Sequence, residues 1–286
     1  MLILVEGKPD STRPLLSAAQ ALGHRVHVIP VDGSLSAAEP ALARGDFEWG
    51  VLLGAGLSQE RYQRIHDEAR ELNITLLNDP TQHRDAEELD RTVALLHPLT
   101  AKTEVVQSVA EVQSALTRLP LPVFIRGAVS SAKELGWKAC VAETLGEAQT
   151  LVTKLLALRA YSRGRALLRE VLPLRRLDKM HEGFPLSREY RLFVLDADVL
   201  AMGPYWVAED PFGALTERDE REIRNLAHEV AKRTKVPWLA VDVGQLESGD
   251  WKVIETADPA CSGLAAVNAR DFVGALAHGL ELRAGC

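Results

Sequence analysis

The chain has 286 residues, of which 47% are apolar and 26% charged, with a formal net charge of −7. That length supports a sizeable core in two or three packed lobes, and the composition is that of a soluble globular protein. The acidic balance argues against a broad nucleic-acid footprint, which needs a basic face; only the stretch between Arg159 and Arg191 leaves a local basic groove open. Three cysteines (Cys140, Cys261, Cys286) and eight scattered histidines give no metal-ligand spacing and fit a reducing compartment. No apolar run approaches membrane-spanning length. The start, Met1-Leu2-Ile3-Leu4-Val5-Glu6-Gly7, is too short and too acidic for a signal peptide. A cytoplasmic protein is expected.

The first hundred residues alternate strand and helix. Leu2 to Val5 is a buried-type strand, and Ser11 to Leu22 is a helix with Leu15, Leu16, Ala19 and Leu22 on one face. Arg25 to Val31 and Glu48 to Leu53 read as further strands. Ser58-Gln59-Glu60 opens a helix carrying Ile65, Ala69 and Leu72 inward, and Ile74 to Leu77 is a fourth strand. Such alternation implies right-handed crossovers and a parallel sheet, so residues 1–98 are expected to form a doubly wound α/β lobe. A helix from Ala86 to Leu96 leads out of it, with the boundary at His97-Pro98-Leu99-Thr100.

Residues 99–286 read as α+β. Glu104 to Gln107 and Val123 to Arg126 are strands flanking a helix from Ala110 to Leu119, and a third strand is expected over Ala139 to Glu143. Before it comes a turn of small and polar residues, Ser130-Ser131-Ala132-Lys133-Glu134-Leu135-Gly136. A helix follows from Leu145 to Leu158. From Leu167 the chain is strand-rich, broken by one strong helix from Glu217 to Lys235, and a last helix begins near Ala269.

The most informative feature lies near the end. Val241-Asp242-Val243 and Val253-Ile254-Glu255 flank the polar turn Glu247-Ser248-Gly249-Asp250. A hairpin there sets Asp242 and Glu255 side by side on one face, because strand side chains alternate with period two. Two acids among β-branched neighbours are costly unless a positive charge lies between them. Mg²⁺ is a usual answer, held by one or two carboxylates plus substrate phosphates. One arginine is a weaker answer, since it would have to compensate two acids on adjacent strands.

Four segments then fall into an order: Pro122-Val123-Phe124-Ile125-Arg126-Gly127, Leu168-Arg169-Glu170-Val171-Leu172-Pro173-Leu174, Ser187-Arg188-Glu189-Tyr190-Arg191-Leu192-Phe193, and the acidic hairpin. That succession resembles the ATP-grasp superfamily over nearly the whole chain, nearest to a little-characterised branch with compact bacterial and phage members. The resemblance implies a pre-ATP-grasp lobe over residues 1–98 and an ATP-grasp domain over 99–286. Within the latter, residues 99–168 would form a small phosphate-covering lobe and 169–286 a metal-binding lobe. It implies ATP and Mg²⁺ as cofactors, with Mn²⁺ as a substitute.

Carried over residue by residue, the resemblance makes Arg126 a phosphate ligand where many members have lysine. Lys133 becomes the cation of the mobile covering loop, with Lys138 just beyond it. As isolated lysines, both would be solvated surface charges. Glu170, Val171 and Leu172 match the interlobe linker whose main chain pairs with adenine. Arg191, on a half-buried strand, needs a partner; it is either the end of a structural salt bridge or a group beside the transferring phosphoryl. Asp242 and Glu255 are the implied metal ligands. The family's further ligand, an Asn after one spacer, is Ala257 here, so Asp258 is expected to substitute by swinging inward. Cys261 has no histidine neighbour in sequence and reads as a buried inert thiol.

The resemblance implies an ATP-dependent ligase that turns a carboxylate into an acyl phosphate for attack by an amine, with no protein nucleophile. Its partners would be small-molecule or peptide acids and amines, without a membrane, and a homodimer is compatible. Two other readings stay open. One is RNA end-joining, served by a groove of Arg159, Arg163, Arg165, Arg169, Arg175 and Arg176. The other is a catalytically degenerate nucleotide-binding module, favoured by Ala257 and Arg126. The acceptor pocket is expected at the loops Gly7-Lys8-Pro9-Asp10-Ser11, Asp32-Gly33-Ser34 and Gly54-Ala55-Gly56.

Overall fold

The computed structural model describes residues 1–6, 12–31, 33–35, 42, 46–53, 57–206 and 209–284. Of the expected acceptor loops, residues 7–11, 32 and 54–56 lie outside the described residues. The chain opens with a four-stranded sheet, ordered β2 (Arg25–Ile29), β1 (Leu2–Glu6), β3 (Glu48–Leu53), β4 (Ile74–Leu76), with every pairing parallel. Alternation sorts β1 between two cores. Leu2 and Leu4 pack with Tyr62, Ile65 and Ala69 of helix α2 (Gln59–Glu71). Ile3 and Val5 pack with Leu15, Leu16 and Ala19 of α1 (Arg13–Ala21). A strand buried on both faces is a continuous apolar run, which is why Leu2 to Val5 lacks any polar residue.

Two short helices, α3 (Pro80–Glu87) and α4 (Leu89–Leu96), stand where one helix from Ala86 was expected. The Asp79 carboxylate accepts the N–H groups of Thr81 and Gln82, and Gln82 reaches back to the Asp79 N–H, a capping box with Pro80 in the first turn. That signal starts the helix early. Glu88 adopts φ −94° and ψ 92° and breaks it.

The next lobe is an antiparallel sheet in the order β5 (Thr103–Val106), β8 (Ala166–Glu170), β6 (Val123–Gly127), β7 (Val141–Ala142). Helices α5 (Val112–Leu116) and α6 (Leu145–Ala157) cover one face around Val112, Val123, Val152 and Leu168. The strand expected from Ala139 is shorter, because Lys133–Leu135 and Trp137–Ala139 each close a single 3-10 turn around Gly136. The helix expected over Ala110 to Leu119 likewise contracts, with 3-10 geometry in its first turn at Val109–Glu111. A short turn of helix, α7 (Arg159–Ser162), leads into β8.

A small hairpin, β9 (Arg176–His181) and β10 (Phe184–Ser187), connects to a second antiparallel sheet in the order β12 (Asp198–Pro204), β11 (Glu189–Leu195), β13 (Trp238–Gln245), β14 (Trp251–Ala257). Helix α8 (Glu217–Thr234) covers the face bearing Leu192, Val194, Val241 and Val253. The opposite face is divided along its length. Phe193, Leu195, Trp238 and Ala240 pack against α1 and α9 (Ala269–Ala284) in the core that also holds Ile3 and Val5. The next residues in the same alternation are Arg191, Glu189 and Asp242. One face of one sheet is thus core at one end and polar at the other.

The seating of α7 on β6 is tested by Gly127. A Cβ there would collide with the main-chain carbonyl of Tyr161 and come within 2.9 Å of the Ser162 Cα. Backbone cannot yield as a flexible side chain does, so Gly127→Ala is expected to cost about 1–3 kcal/mol, as overpacking does. The apparent melting temperature should fall by roughly 2–5 °C in a thermal scan.

Candidate nucleotide and acceptor site

The register of β11, β13 and β14 sets Arg191 opposite Asp242 and Asp242 opposite Glu255. Arg191 donates through Nε to Asp242 Oδ1 at 2.8 Å and through Nη2 to Oδ2 at 2.7 Å. Its Nη1 donates to the Gly263 carbonyl at 2.9 Å, and the guanidinium lies 4.7 Å from the Tyr205 ring centre. Asp242 is 2% exposed. Burial opposes the Arg191 charge, but Asp242 outweighs it and raises the arginine pKa further. For Asp242, burial pushes the carboxyl up to about 6 against the pull of Arg191. A two-point fork fixes geometry as well as charge.

Glu255 has a different partner. Arg126, at the end of β6, donates through Nη1 to Glu255 Oε2, through Nη2 to the Val129 carbonyl at 2.8 Å, and through Nε to the Gly127 carbonyl at 3.1 Å. Burial would raise the Glu255 carboxyl, but Arg126, Lys133 and Arg191 together hold it well below the usual carboxylate range. The Lys133 ammonium lies 5.9 Å from the Phe184 ring centre and 5.8 Å from that of Tyr205. Burial opposes its charge, yet Glu255 and Glu189 raise its pKa. Two arginines on two strands therefore neutralise the two acids, one each.

Arg169, on β8, entered the sequence reading only as one arginine of a basic groove. It is 4% exposed and, among the described residues, donates only to neutral oxygens: Thr100 Oγ1 at 2.7 Å, the Ile254 carbonyl at 2.8 Å and Thr103 Oγ1 at 3.3 Å. Burial first, then the neighbouring Arg126 charge, lowers its pKa to about 9. A sequence signal for a site role was available: an arginine following the apolar run Ala166-Leu167-Leu168 on a strand must be buried or face a cleft.

These groups line a narrow cleft between the two antiparallel sheets. Its lining is mixed: Phe124, Trp137, Phe184, Leu172 and Leu174 are aromatic or apolar, and Arg126, Lys133, Arg169, Arg176, Glu189 and Glu255 are charged, with Lys133 near Phe184 and Arg176 stacked on Trp137. Glu170, Val171 and Leu172 line the wall where the chain leaves β8. A larger cavity lies beyond, lined by Arg191, Tyr205, Trp206, Tyr161, Arg163 and Glu87 among others. Lys133 and Glu255 line both.

Two expected residues stay outside. Asp258 does not swing toward the cleft. It starts the turn Pro259–Cys261, where Oδ1 accepts the Ala260 N–H at 2.8 Å and Oδ2 meets Asn78 Nδ2 and His83 Nδ1, each at 2.9 Å. Both oxygens are thus engaged at the junction of the first lobe with β13, where Asn78 also bonds the Trp238 main chain in both directions, at 2.8 and 3.1 Å. Lys138 is exposed and lines neither cavity. Of the arginines of the expected basic groove, Arg169 and Arg176 line the cleft and Arg163 the larger cavity. Arg165 pairs with Glu88 and Asp90, Arg169 is buried, and Arg176 stacks 5.1 Å from the Trp137 ring centre. Cys261, expected to be buried, is half-buried and lines the larger cavity, where burial, then Glu87 and Asp258, push its thiol well up.

The donor set fits a hard cation in one way only. Among the described residues no group of three or more His, Cys, Asp or Glu side chains is placed to hold a metal. Both Asp242 oxygens are taken by Arg191, while Glu255 has Arg126 on Oε2 alone. Glu255 together with phosphate oxygens suits one Mg²⁺, an ion that commonly binds through one or two carboxylates plus its substrate.

The sequence profile of the ATP-grasp domain, R-2K clade family 3, matches residues 22–276. None of the curated protein sequences matches. Among solved structures, a RimK domain protein ATP-grasp from Sphaerobacter thermophilus DSM 20745 superposes with a TM-score of 0.65 at 16% identity, over 97% of this chain and 98% of that one. The D-cycloserine synthetase DcsG also gives 0.65 at 16% identity, over 98% and 100%. The ATP-grasp ligase PsnB complexed with minimal precursor gives 0.57 at 15%, over 96% and 98%. At such identities the likeness is one of fold.

Two measurements examine this arrangement. Asp242→Asn leaves a buried guanidinium against a neutral amide and is expected to destabilise the protein by about 3–5 kcal/mol, with Arg191→Met added to it recovering much of the loss in urea unfolding. Glu87, which accepts the Asp258 N–H at 2.7 Å, has its carboxyl pushed by burial, then by Asp258, up to about 7. Between the ordinary glutamate value and 7 the folded protein holds a proton that the unfolded chain has released. Stability attributable to Glu87 is therefore full below that window and falls as pH rises through it, by on the order of 3 kcal/mol. Subtracting the Glu87→Gln profile from the parent profile should isolate that fall.

Proposed function

The chain belongs to family 3 of the R-2K clade of ATP-grasp domains, and from that premise we propose that it is an ATP-dependent ligase joining a carboxylate to an amine. The observation that carries the reading is Arg169, a buried cation whose hydrogen-bond partners among the described residues are all neutral, lining the same aromatic-walled slot as Arg126 and Lys133. Apolar walls suit a base, and convergent cations suit a polyphosphate. Adenine would lie between Trp137, Phe184 and Leu174, edge-on to the main chain of Glu170, Val171 and Leu172. The triphosphate would run toward Arg126, Arg169 and Lys133, with the γ-phosphate at the junction of the two cavities.

The acid and the amine would come from the larger cavity, which adjoins the slot at Lys133 and Glu255. A carboxylate oxygen of the acceptor attacks the γ-phosphorus, and the bond from phosphorus to the bridging oxygen breaks, releasing ADP and leaving an acyl phosphate. The amine nitrogen then attacks the acyl carbon, the C–O bond to phosphate breaks, and the ammonium proton leaves with solvent. Arg191 is held by Asp242 beside that junction, so its charge is oriented before the phosphoryl group moves, which is how preorganised donors lower a barrier. Lys133 neutralises the transferring group from the opposite wall. Mg²⁺, or Mn²⁺ in its place, would supply charge neutralisation of the phosphates, with Glu255 as its protein ligand.

Millimolar Mg·ATP should raise the melting temperature by several degrees, as mass action requires for a ligand of the folded state, and Arg169→Met should remove most of that shift. An unchanged melting temperature would sink the nucleotide reading. ADP release that depends on an added acid and amine separates a ligase from a module that only holds nucleotide. Arg191→Lys, corrected for folded fraction by circular dichroism, should lower kcat on the order of a hundredfold with a smaller change in KM for ATP. Normal kcat in that variant would assign Arg191 to the scaffold.

A further inference from the structure

We propose that Glu87 and Arg163 form the recognition site for the amine substrate in the larger cavity, and that this substrate is a free α-amino acid, with its ammonium on Glu87 and its carboxylate on Arg163. The proposal rests on the ligase reading above and adds to it the chemical class of one substrate and the two residues that select it.

Besides the exposed His181, the larger cavity is lined by Lys133, Arg163 and Arg191 and by Glu87, Glu134 and Glu255. Cations and carboxylates balance, so net charge selects nothing, and what matters is which groups are already engaged. Arg191 is forked onto Asp242, Glu255 is bonded by Arg126, and Lys133 is held by Glu255 and Glu189. Glu134 accepts the Tyr161 hydroxyl at 2.9 Å. Arg163 and Glu87 remain. Both are half-buried, and no ion pair joins them. Among the described residues the Arg163 side chain makes no hydrogen bond or ion pair. Glu87 uses Oε1 to accept the Asp258 N–H at 2.7 Å, and its Oε2 accepts none from the described residues. The cavity thus offers one carboxylate oxygen and one guanidinium to a ligand that carries both charges.

The two groups are near enough to share a small ligand. Burial first, then Glu87, raises the Cys261 thiol, and Arg163 opposes them, so both charges reach one sulfur. An α-amino acid carries its ammonium and carboxylate on a single carbon. Its orientation follows from what anchors each residue. Helix α3 is bound to β14 beside Glu255, where the Thr256 hydroxyl donates to the Ala86 carbonyl at 3.2 Å and Glu87 holds the Asp258 N–H. Arg163 lies toward the start of α2: its own N–H and Ser58 lower the Glu60 carboxyl first, and the Arg163 charge adds to that. An amino acid so placed turns its nitrogen toward the centre where the acyl phosphate forms and its carboxylate away, so it serves as the amine and not as the acid. Arg163 closes α7 in the left-handed region, at φ 47° and ψ 26°, with Gly164 following at φ 82°. Glycine would hold that turn without strain, so the turn by itself does not call for an arginine.

The test adds each of the common α-amino acids, at millimolar concentration, to protein holding Mg²⁺ and a non-hydrolysable ATP analogue. Thermal shift finds the binders and calorimetry gives their affinities. At least one amino acid should bind, and its α-carboxamide and its deaminated acid should each bind at least tenfold more weakly, the loss expected for one charge-assisted pair. Arg163→Gln should weaken the amino acid at least tenfold and leave its carboxamide unchanged. Glu87→Gln should weaken the amino acid equally and leave the deaminated acid unchanged. Affinity for the nucleotide, read in the same variants, checks that the fold is intact. Should either variant fail to fold, the three ligands compared on the parent protein decide. A carboxamide or deaminated acid that binds as tightly as the amino acid overturns the proposal, as does parental affinity for the amino acid in either folded variant. Protein that binds nucleotide and no amino acid defeats this proposal alone, whereas absence of any nucleotide binding defeats the nucleotide reading and this one with it.

Discussion

The structure depends on how two carboxylates on adjacent strands are kept charged inside the protein. Asp242 and Glu255 sit across from each other on β13 and β14, where neither could remain ionised without a cation in contact. Arg191 answers the first from within the same sheet, and Arg126 answers the second from the neighbouring lobe. The chain of alternating charge runs from β11 through β13 and β14 to β6. It fixes the width of the cleft, because the two sheets must approach closely enough for Arg126 to reach Glu255. It also fixes the direction of Arg191, whose remaining nitrogen is turned toward Gly263 and the larger cavity.

The first lobe contributes more than a separate neighbour would. One face of its parallel sheet shares a core with Phe193, Trp238 and Phe272. The clustering of Ala86, Leu89, Val93 and Leu96 with Val241 and Val253 ties α3 and α4 to the second antiparallel sheet. Asp258 completes the junction through Asn78 and His83, with the His83 ring stacked 3.7 Å from that of Tyr62. An acid that looked like a spare ligand is instead a fastening between lobes. Apolar cover on this face ends after Ala240 on β13 and Phe193 on β11, and the cleft begins at the next residues of the same alternation. The polar site is thus the uncovered continuation of a hydrophobic face.

Division of the interior into two compartments follows from the same arrangement. The aromatic slot and the larger cavity meet where Lys133 and Glu255 line both. Lys133 reaches that point from a turn with little regular structure, and its charge is oriented by two rings and two acids. A charge held in place by its surroundings, and shared by two compartments, is suited to a group that passes from one to the other.

Much of this was legible in the chain by itself. The buried run at Leu2 to Val5, the amphipathic stripes of α1, α2, α6 and α8, and the alternation around Asp242 and Glu255 are local patterns, so their periods survive in one dimension. The order of segments carried the ATP-grasp resemblance, and the hairpin placed its two acids opposite each other as alternation requires. What the chain could not reveal was which cation meets which acid. Arg126 and Glu255 are far apart in sequence, and only the approach of two sheets makes them neighbours. The same holds for Asp258, whose partners Asn78 and His83 lie in the first lobe, and for Arg169, whose partners Thr100 and Ile254 come from other parts of the chain. Sequence decides which residues are charged and which face of a strand they occupy; tertiary packing decides what they face, because partner choice for a buried charge depends on contacts between lobes.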